Sequence, residues 1–161
     1  MEGNYLLRHK ATGKMARLIV EGAGMAEERI SFKSEGLNLA GAIRVPNGVE
    51  MGERRPAFIV LHGFGSTMNA GNVLAPCAMF EKLGYVTMRF DMPGCGESEG
   101  ERGLLLCPEQ VKATSAALAT LAQNPHVDAK RIAVLGSSFG AAVAVSCGGV
   151  DSRVAAVISA S

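Results

Sequence analysis

Four short apolar runs alternate with helix-patterned stretches, and this alternation limits the fold more than any other feature of the chain. The runs are 57–61 (AFIVL), 85–90 (YVTMRF), 131–135 (RIAVL) and 154–158 (VAAVI). They are rich in β-branched or aromatic residues, and most have Gly or Pro close by, as strands buried on both faces do. Between them lie three helical stretches. Residues 72–83 carry Leu74, Met79, Phe80 and Leu83 toward one side and stop at Gly84, with Pro76 placing the start of regular helix near itself. Residues 108–123 open on Pro108 and Glu109 and keep Val111, Leu118 and Leu121 in one stripe. The third, from about 138 to 147, is mostly small residues, which suits a helix lying close to a sheet. Alternation of this kind implies right-handed crossovers. It predicts an α/β fold with a mostly parallel sheet and helices on both faces.

Before the first run, Ile30 and Phe32 alternate with polar neighbours. Gly36 turns the chain, and Leu37, Leu39, Ala40, Ile43 and Val45 follow up to Pro46. This pattern predicts a β-hairpin at a sheet edge. Residues 1–28 read as a polar lead-in, with a short strand over 16–20, and residues 29–161 as the α/β unit.

Composition narrows the function classes. At 161 residues, 48% hydrophobic and 19% charged, the chain has the length of one domain and the means to bury a core. Lys and Arg number 16 against 15 Asp and Glu, so there is no basic footprint for nucleic acid, and aromatics at 5% offer little stacking surface. The cysteines Cys77, Cys95, Cys107 and Cys147 form no C-x-x-C pair and read as small buried thiols of a reducing compartment. Residues 1–20 hold no apolar stretch of signal-peptide length. The uncharged segment 132–150 is rich in Gly and Ala and reads as strand, turn and helix rather than a membrane span. A cytoplasmic protein with no membrane partner, no metal cluster and no cofactor is the expectation.

In a parallel sheet the chemistry gathers past the C-terminal ends of the strands. Gly136-Ser137-Ser138-Phe139-Gly140 directly follows the RIAVL run and opens the Ala-rich helix. A G-x-S-x-G carries weight only in this strand–turn–helix setting. Gly136 and Gly140 permit a strained turn that presents the Ser138 hydroxyl. The Phe139 N–H then lies at a helix start, where free donors and the dipole favour a negative oxygen. The plain alternative is a Gly-Ser turn of a nucleotide-binding fold, but neither G-x-G-x-x-G nor a phosphate loop is present. A second Gly-rich loop, His62-Gly63-Phe64-Gly65, follows the AFIVL run and can offer the Phe64 N–H to the same oxygen. The His62 ring itself reads as a hydrogen-bonded brace of that loop rather than a proton carrier. A third loop, Asp91-Met92-Pro93-Gly94-Cys95-Gly96-Glu97-Ser98, follows YVTMRF. In it Asp91 and Ser98 are expected to bond loop backbone.

In order and placement these three motifs resemble the α/β-hydrolase superfamily, and the Leu37, Leu39 and Ile43 alternation resembles the antiparallel strands that open that fold. Within it the D-x-P-G-x-G-x-S loop is similar to the esterase, dienelactone-hydrolase-like and prolyl-oligopeptidase-like serine hydrolases. The resemblance implies Ser138 as nucleophile and the Phe64 and Phe139 amides as oxyanion hole, with His62, Gly63, Gly65, Gly136 and Gly140 shaping the site. It implies hydrolysis of a small-molecule carboxylic ester or related acyl bond, or of a peptide.

The chain departs from the family after the nucleophile. There the triad acid and histidine follow the serine. Here only Asp151 and no histidine does, because His9, His62 and His126 all precede Ser138. Asp151, His126 and Asp128 are predicted at the opposite end of the sheet, so no base and no triad acid is assigned. The expectation is an α/β-hydrolase fold truncated after the strand following the nucleophile helix, inactive or nearly so alone. Its last strand would be an open edge, suited to self-association or to a complementing chain. The reading from another class is a non-catalytic hydrolase-like module that binds a ligand or partner.

Overall fold

The computed structural model describes residues 27–160. The expected strand at 16–20 and most of the lead-in lie outside them. In chain order the elements are β1 (Glu27–Ser34), β2 (Leu37–Arg44), β3 (Arg55–Leu61), α1 (Gly71–Lys82), β4 (Val86–Phe90), α2 (Cys107–Leu121), β5 (Val127–Ser137), α3 (Phe139–Val150) and β6 (Val154–Ala160). They build a six-stranded sheet in the order β1-β2-β4-β3-β5-β6. β1–β2 and β2–β4 pair antiparallel, whereas β4, β3, β5 and β6 run parallel. This is the expected α/β architecture.

The hairpin closes through Glu35 (φ 48°) and Gly36 (φ 86°), two left-handed residues between the paired Ser34 and Leu37. Such two-residue turns match the twist of the strands they join. Along β3, side chains alternate between two cores. Ile59 and Leu61 face a larger cluster that holds α2, α3 and the hairpin. Phe58 and Val60 face a smaller one under α1. In the latter Phe58 stacks on Phe80 with ring centroids 3.7 Å apart and planes 4° from parallel. Helices therefore cover both faces.

Four sequence expectations change. In α1 the buried stripe is Val73, Cys77 and Phe80, while Leu74, Met79 and Leu83 point outward. Spacing of i, i+4 and i+7 sets the face that meets the sheet, and side-chain size does not override it. Pro76 lies inside α1, which already begins at Gly71. The proline forfeits only one helical bond, to the carbonyl of the exposed Asn72, where water can replace it. In α2, Leu118 and Leu121 are buried, but Val111 is only partly so. Gln110 and Thr114 share the buried face, Thr114 Oγ1 donating to the Gln110 carbonyl at 2.8 Å. β5 also starts earlier than the RIAVL run, at Val127, because Val127 pairs with Arg55 of β3.

A charged row crosses the α1 face of the sheet. Glu27 on β1 accepts from Arg44 on β2 at 2.7 Å and from Arg89 on β4 at 3.0 and 3.1 Å. Glu81 of α1, almost fully buried, accepts from Thr87 Oγ1 at 2.7 Å and from Arg44 at 3.4 Å. The hydrogen bonds and the two arginines hold the Glu27 carboxyl below its usual range despite its partial burial. The opposite edge differs. β6 carries no charge, and from Ala155 to Ala160 every residue is exposed. All four cysteines are free thiols, Cys107 half-buried and the others buried, with burial pushing Cys77 up to about 11.

Candidate active site

The β5–α3 connection is a turn of one residue. Ser138 sits between the two elements with φ 54° and ψ −121°, a conformation that side chains rarely adopt. The surroundings enforce it through missing side chains. A Cβ at Gly136 would run into the Gly140 carbonyl, and one at Gly140 would lie 2.5 Å from the His62 carbonyl oxygen and 2.9 Å from that of Leu61. The start of α3 is thereby pressed onto the end of β3. The Ser138 N–H donates to the Ala160 carbonyl at 2.9 Å, which ties the turn to β6. Ser138 is exposed, and its Oγ has no hydrogen-bond partner among the described residues.

The loop after β3 closes against this turn. A Cβ at Gly63 would stand 3.3 Å from Ser138 Cβ and 3.8 Å from Ser138 Oγ, so a side chain there would press on the serine. Gly65 adopts φ 64° and permits the turn in which the Ser66 N–H donates to the Gly63 carbonyl at 3.3 Å. The Phe64 and Phe139 N–H groups have no backbone acceptor among the described residues. Phe139 is the first residue of α3, where an amide has no partner within the helix.

His62 is fully buried and both ring nitrogens are engaged. Nδ1 lies 2.8 Å from the Gly63 carbonyl oxygen, and Nε2 accepts from the Met92 N–H at 3.1 Å. Those partners require the neutral tautomer with its proton on Nδ1. Burial pushes the ring's pKa down. The ring joins the loops after β3 and β4 and does not face Ser138 as a free base.

Asp91 joins the same two loops. It is almost fully buried, accepts from the Met68 N–H at 2.7 Å and from the Glu97 N–H at 2.9 Å, and fills the space that a side chain at Gly96 would need. Ser98 Oγ donates to the Asp91 carbonyl at 2.5 Å and accepts from the Ala40 N–H at 2.9 Å, which ties the loop to the hairpin. One further polar residue borders the site. Asn72 Nδ2 donates to Ser137 Oγ at 2.8 Å, bracing the start of α1 against the turn that carries Ser138. No sequence pattern marked it, because the contact spans 65 positions.

Other ionisable groups considered from sequence lie elsewhere. The His126 carbonyl accepts from the Arg55 N–H at 2.7 Å at the N-terminal start of β3. Asp128 pairs with Arg131 at 2.7 Å, and Asp151 pairs with Arg153 at 2.6 Å before β6. These are the opposite ends of the strands from Ser138. Among the described residues no group of three or more metal-ligating side chains gathers, and no helix is long and apolar enough to cross a membrane.

A strand–Ser–helix turn packed on a Gly-rich strand-end loop, in a sheet of this order, defines an α/β hydrolase. The family described as Serine aminopeptidase, S33 matches residues 52–161, and the chain belongs to that branch of the α/β-hydrolase superfamily. It is 34% identical over 128 residues to the uncharacterized 31.7 kDa protein of the traX-finO intergenic region of Escherichia coli, covering 78% of this chain and 42% of that one. It is 32% identical over 139 residues to Polyketide transferase ATR5 of Stachybotrys chlorohalonatus, covering 84% and 44%. The α/β hydrolase GrgF from Penicillium superposes with TM-score 0.75 at 30% identity, covering 83% of this chain and 45% of that one. The chain thus spans less than half the length of the curated relatives it matches.

Proposed function

We propose that the protein is a serine hydrolase of carboxylic esters or related acyl bonds, with Ser138 as nucleophile. Ser138 Oγ attacks the acyl carbonyl, and its proton passes to a general base. The carbonyl oxygen, now negative, is held by the Phe64 and Phe139 N–H groups. The leaving alcohol or thiol takes the proton as the tetrahedral intermediate collapses, and water then releases the acyl group from Ser138. The observation that carries this reading is the exposed, unpartnered Ser138 hydroxyl at φ 54°, with Gly63 packed beside it. One oxyanion donor is typically worth about 3 kcal/mol of transition-state stabilisation.

The base and its acid partner are assigned outside residues 27–160, because His62 has both nitrogens engaged and His126 lies at the far end of the sheet. Either a further segment of the protein or a second chain along β6 supplies them. The test is turnover of p-nitrophenyl acetate by this chain alone, which should stay at background with or without Ser138, and by the protein in which a further segment or chain supplies the base, the latter compared with its Ser138→Ala variant. In that comparison, loss of at least about a thousandfold in kcat is expected. Turnover that survives the substitution would remove Ser138 from the reaction. Running an aminoacyl p-nitroanilide alongside separates ester from peptide hydrolysis, the second option favoured by the family's description.

A non-catalytic binding module is the second reading, favoured by the absence of a free histidine near Ser138 among the described residues. A fluorophosphonate probe separates the two: a hydrolase is labelled at Ser138, a binding module is not.

A further inference from the structure

The two residues assigned to the oxyanion hole are both phenylalanines, and their rings meet. The Phe64 and Phe139 centroids are 6.3 Å apart with planes at 89°, an edge-to-face pair. Phe64 is 67% exposed and belongs to neither apolar core, while Phe139 only partly packs on the larger one. An exposed benzyl group whose one aromatic contact is Phe139 has no role in the fold that burial explains. The backbone supplies one. If both N–H groups point at one carbonyl oxygen, the side chains on the same two residues start within reach of whatever that carbonyl carries.

We propose that the Phe64–Phe139 pair is a specificity wall, selecting substrates with an apolar chain or ring on the reacting carbonyl over small acetyl-type ones. This rests on the serine-hydrolase reading and names its substrate class. Covering an exposed ring with alkyl surface returns about fourfold in affinity per fully buried methylene. A wall open on one side covers only part of a chain, so a preference of about tenfold for hexanoyl over acetyl follows.

The experiment compares kcat/KM across two series in the protein carrying this chain: p-nitrophenyl esters of acetate and hexanoate, and acetate esters of phenol and 2-naphthol, whose leaving groups are closely matched in acidity. The first series places the apolar group on the acyl side, the second on the leaving group. Calorimetric binding of hexanoate against acetate gives a reading that does not need turnover. Expected is a preference of about tenfold for hexanoate over acetate in the first series, matched by tighter hexanoate binding. In Phe64→Ala and Phe139→Leu the ratio should fall to within about threefold. The ratio cancels any loss common to both substrates from a disturbed oxyanion hole. A hexanoate-to-acetate ratio near one, a preference confined to the leaving-group series, or a ratio that both variants leave intact overturns the wall. Survival of turnover in Ser138→Ala instead overturns the nucleophile assignment, so the two failures are told apart.

Discussion

The turns after β4 and after β5 lie at the same end of the sheet and are held in opposite ways. After β4 every polar group of Asp91 is matched: both carboxylate oxygens, its N–H and its carbonyl have partners. After β5 the turn is held by the absence of side chains at Gly136 and Gly140, and Ser138 Oγ is left bare. The first turn is rigid because its bonds are satisfied. The second stores strain and keeps a hydroxyl and an amide free. A satisfied loop can position neighbours but has nothing left to offer a substrate. An unsatisfied one can do chemistry only if something else fixes its shape.

Single substitutions test that contrast, measured as unfolding free energy by urea titration. Gly140→Ala should be the most damaging, at about 3 kcal/mol, because its methyl would meet the His62 carbonyl oxygen at 2.5 Å and neither backbone can yield cheaply. A loss no larger than that of an exposed alanine substitution would show that the turn after β5 is not held by close approach. Asp91→Asn keeps the shape of the side chain but sets an amide NH2 against one of the two donating N–H groups. It should lose about 2 kcal/mol. Ser138→Gly is expected to move the other way and stabilise by about 1 kcal/mol, since φ 54° suits glycine. No gain would mean that the serine carries no strain.

The smallest effect is a pH slope. The unfolded chain's histidine takes up a proton near pH 6.5, whereas buried His62 resists it. The unfolded state therefore binds more protons in mild acid. Stability should be flat above pH about 7 and fall as pH drops toward about 5. His62→Gln should flatten this slope relative to the parent. An unchanged slope would assign the titration elsewhere.

The sequence made some of this legible and hid the rest for physical reasons. Strand identity came through because runs such as AFIVL are short, rich in β-branched or aromatic residues and close to Gly or Pro, and the family match and sheet order agree with that reading. The position of Ser138 at the helix start followed from two glycines flanking it between an apolar run and a small-residue helix. The α1 face was misread because Leu74, Met79 and Leu83 are large and apolar, yet geometry gave the sheet to Val73, Cys77 and Phe80. Buried Glu81 and Arg89 were invisible because each is acceptable inside only through a partner tens of residues away, or on another element. The Asn72–Ser137 bond was hidden for the same reason.

The charged row on the α1 face carries its own consequence. Glu27 reaches past β2 to Arg89, so the hairpin is clasped to the third strand of the sheet as well as to its neighbour. Protonating Glu27 would leave two guanidinium groups, one of them almost wholly enclosed, without the carboxylate that they share. Strong acid would therefore release the hairpin corner before it reached the elbow that presents Ser138, and the molecule would come undone from the margin farthest from β6.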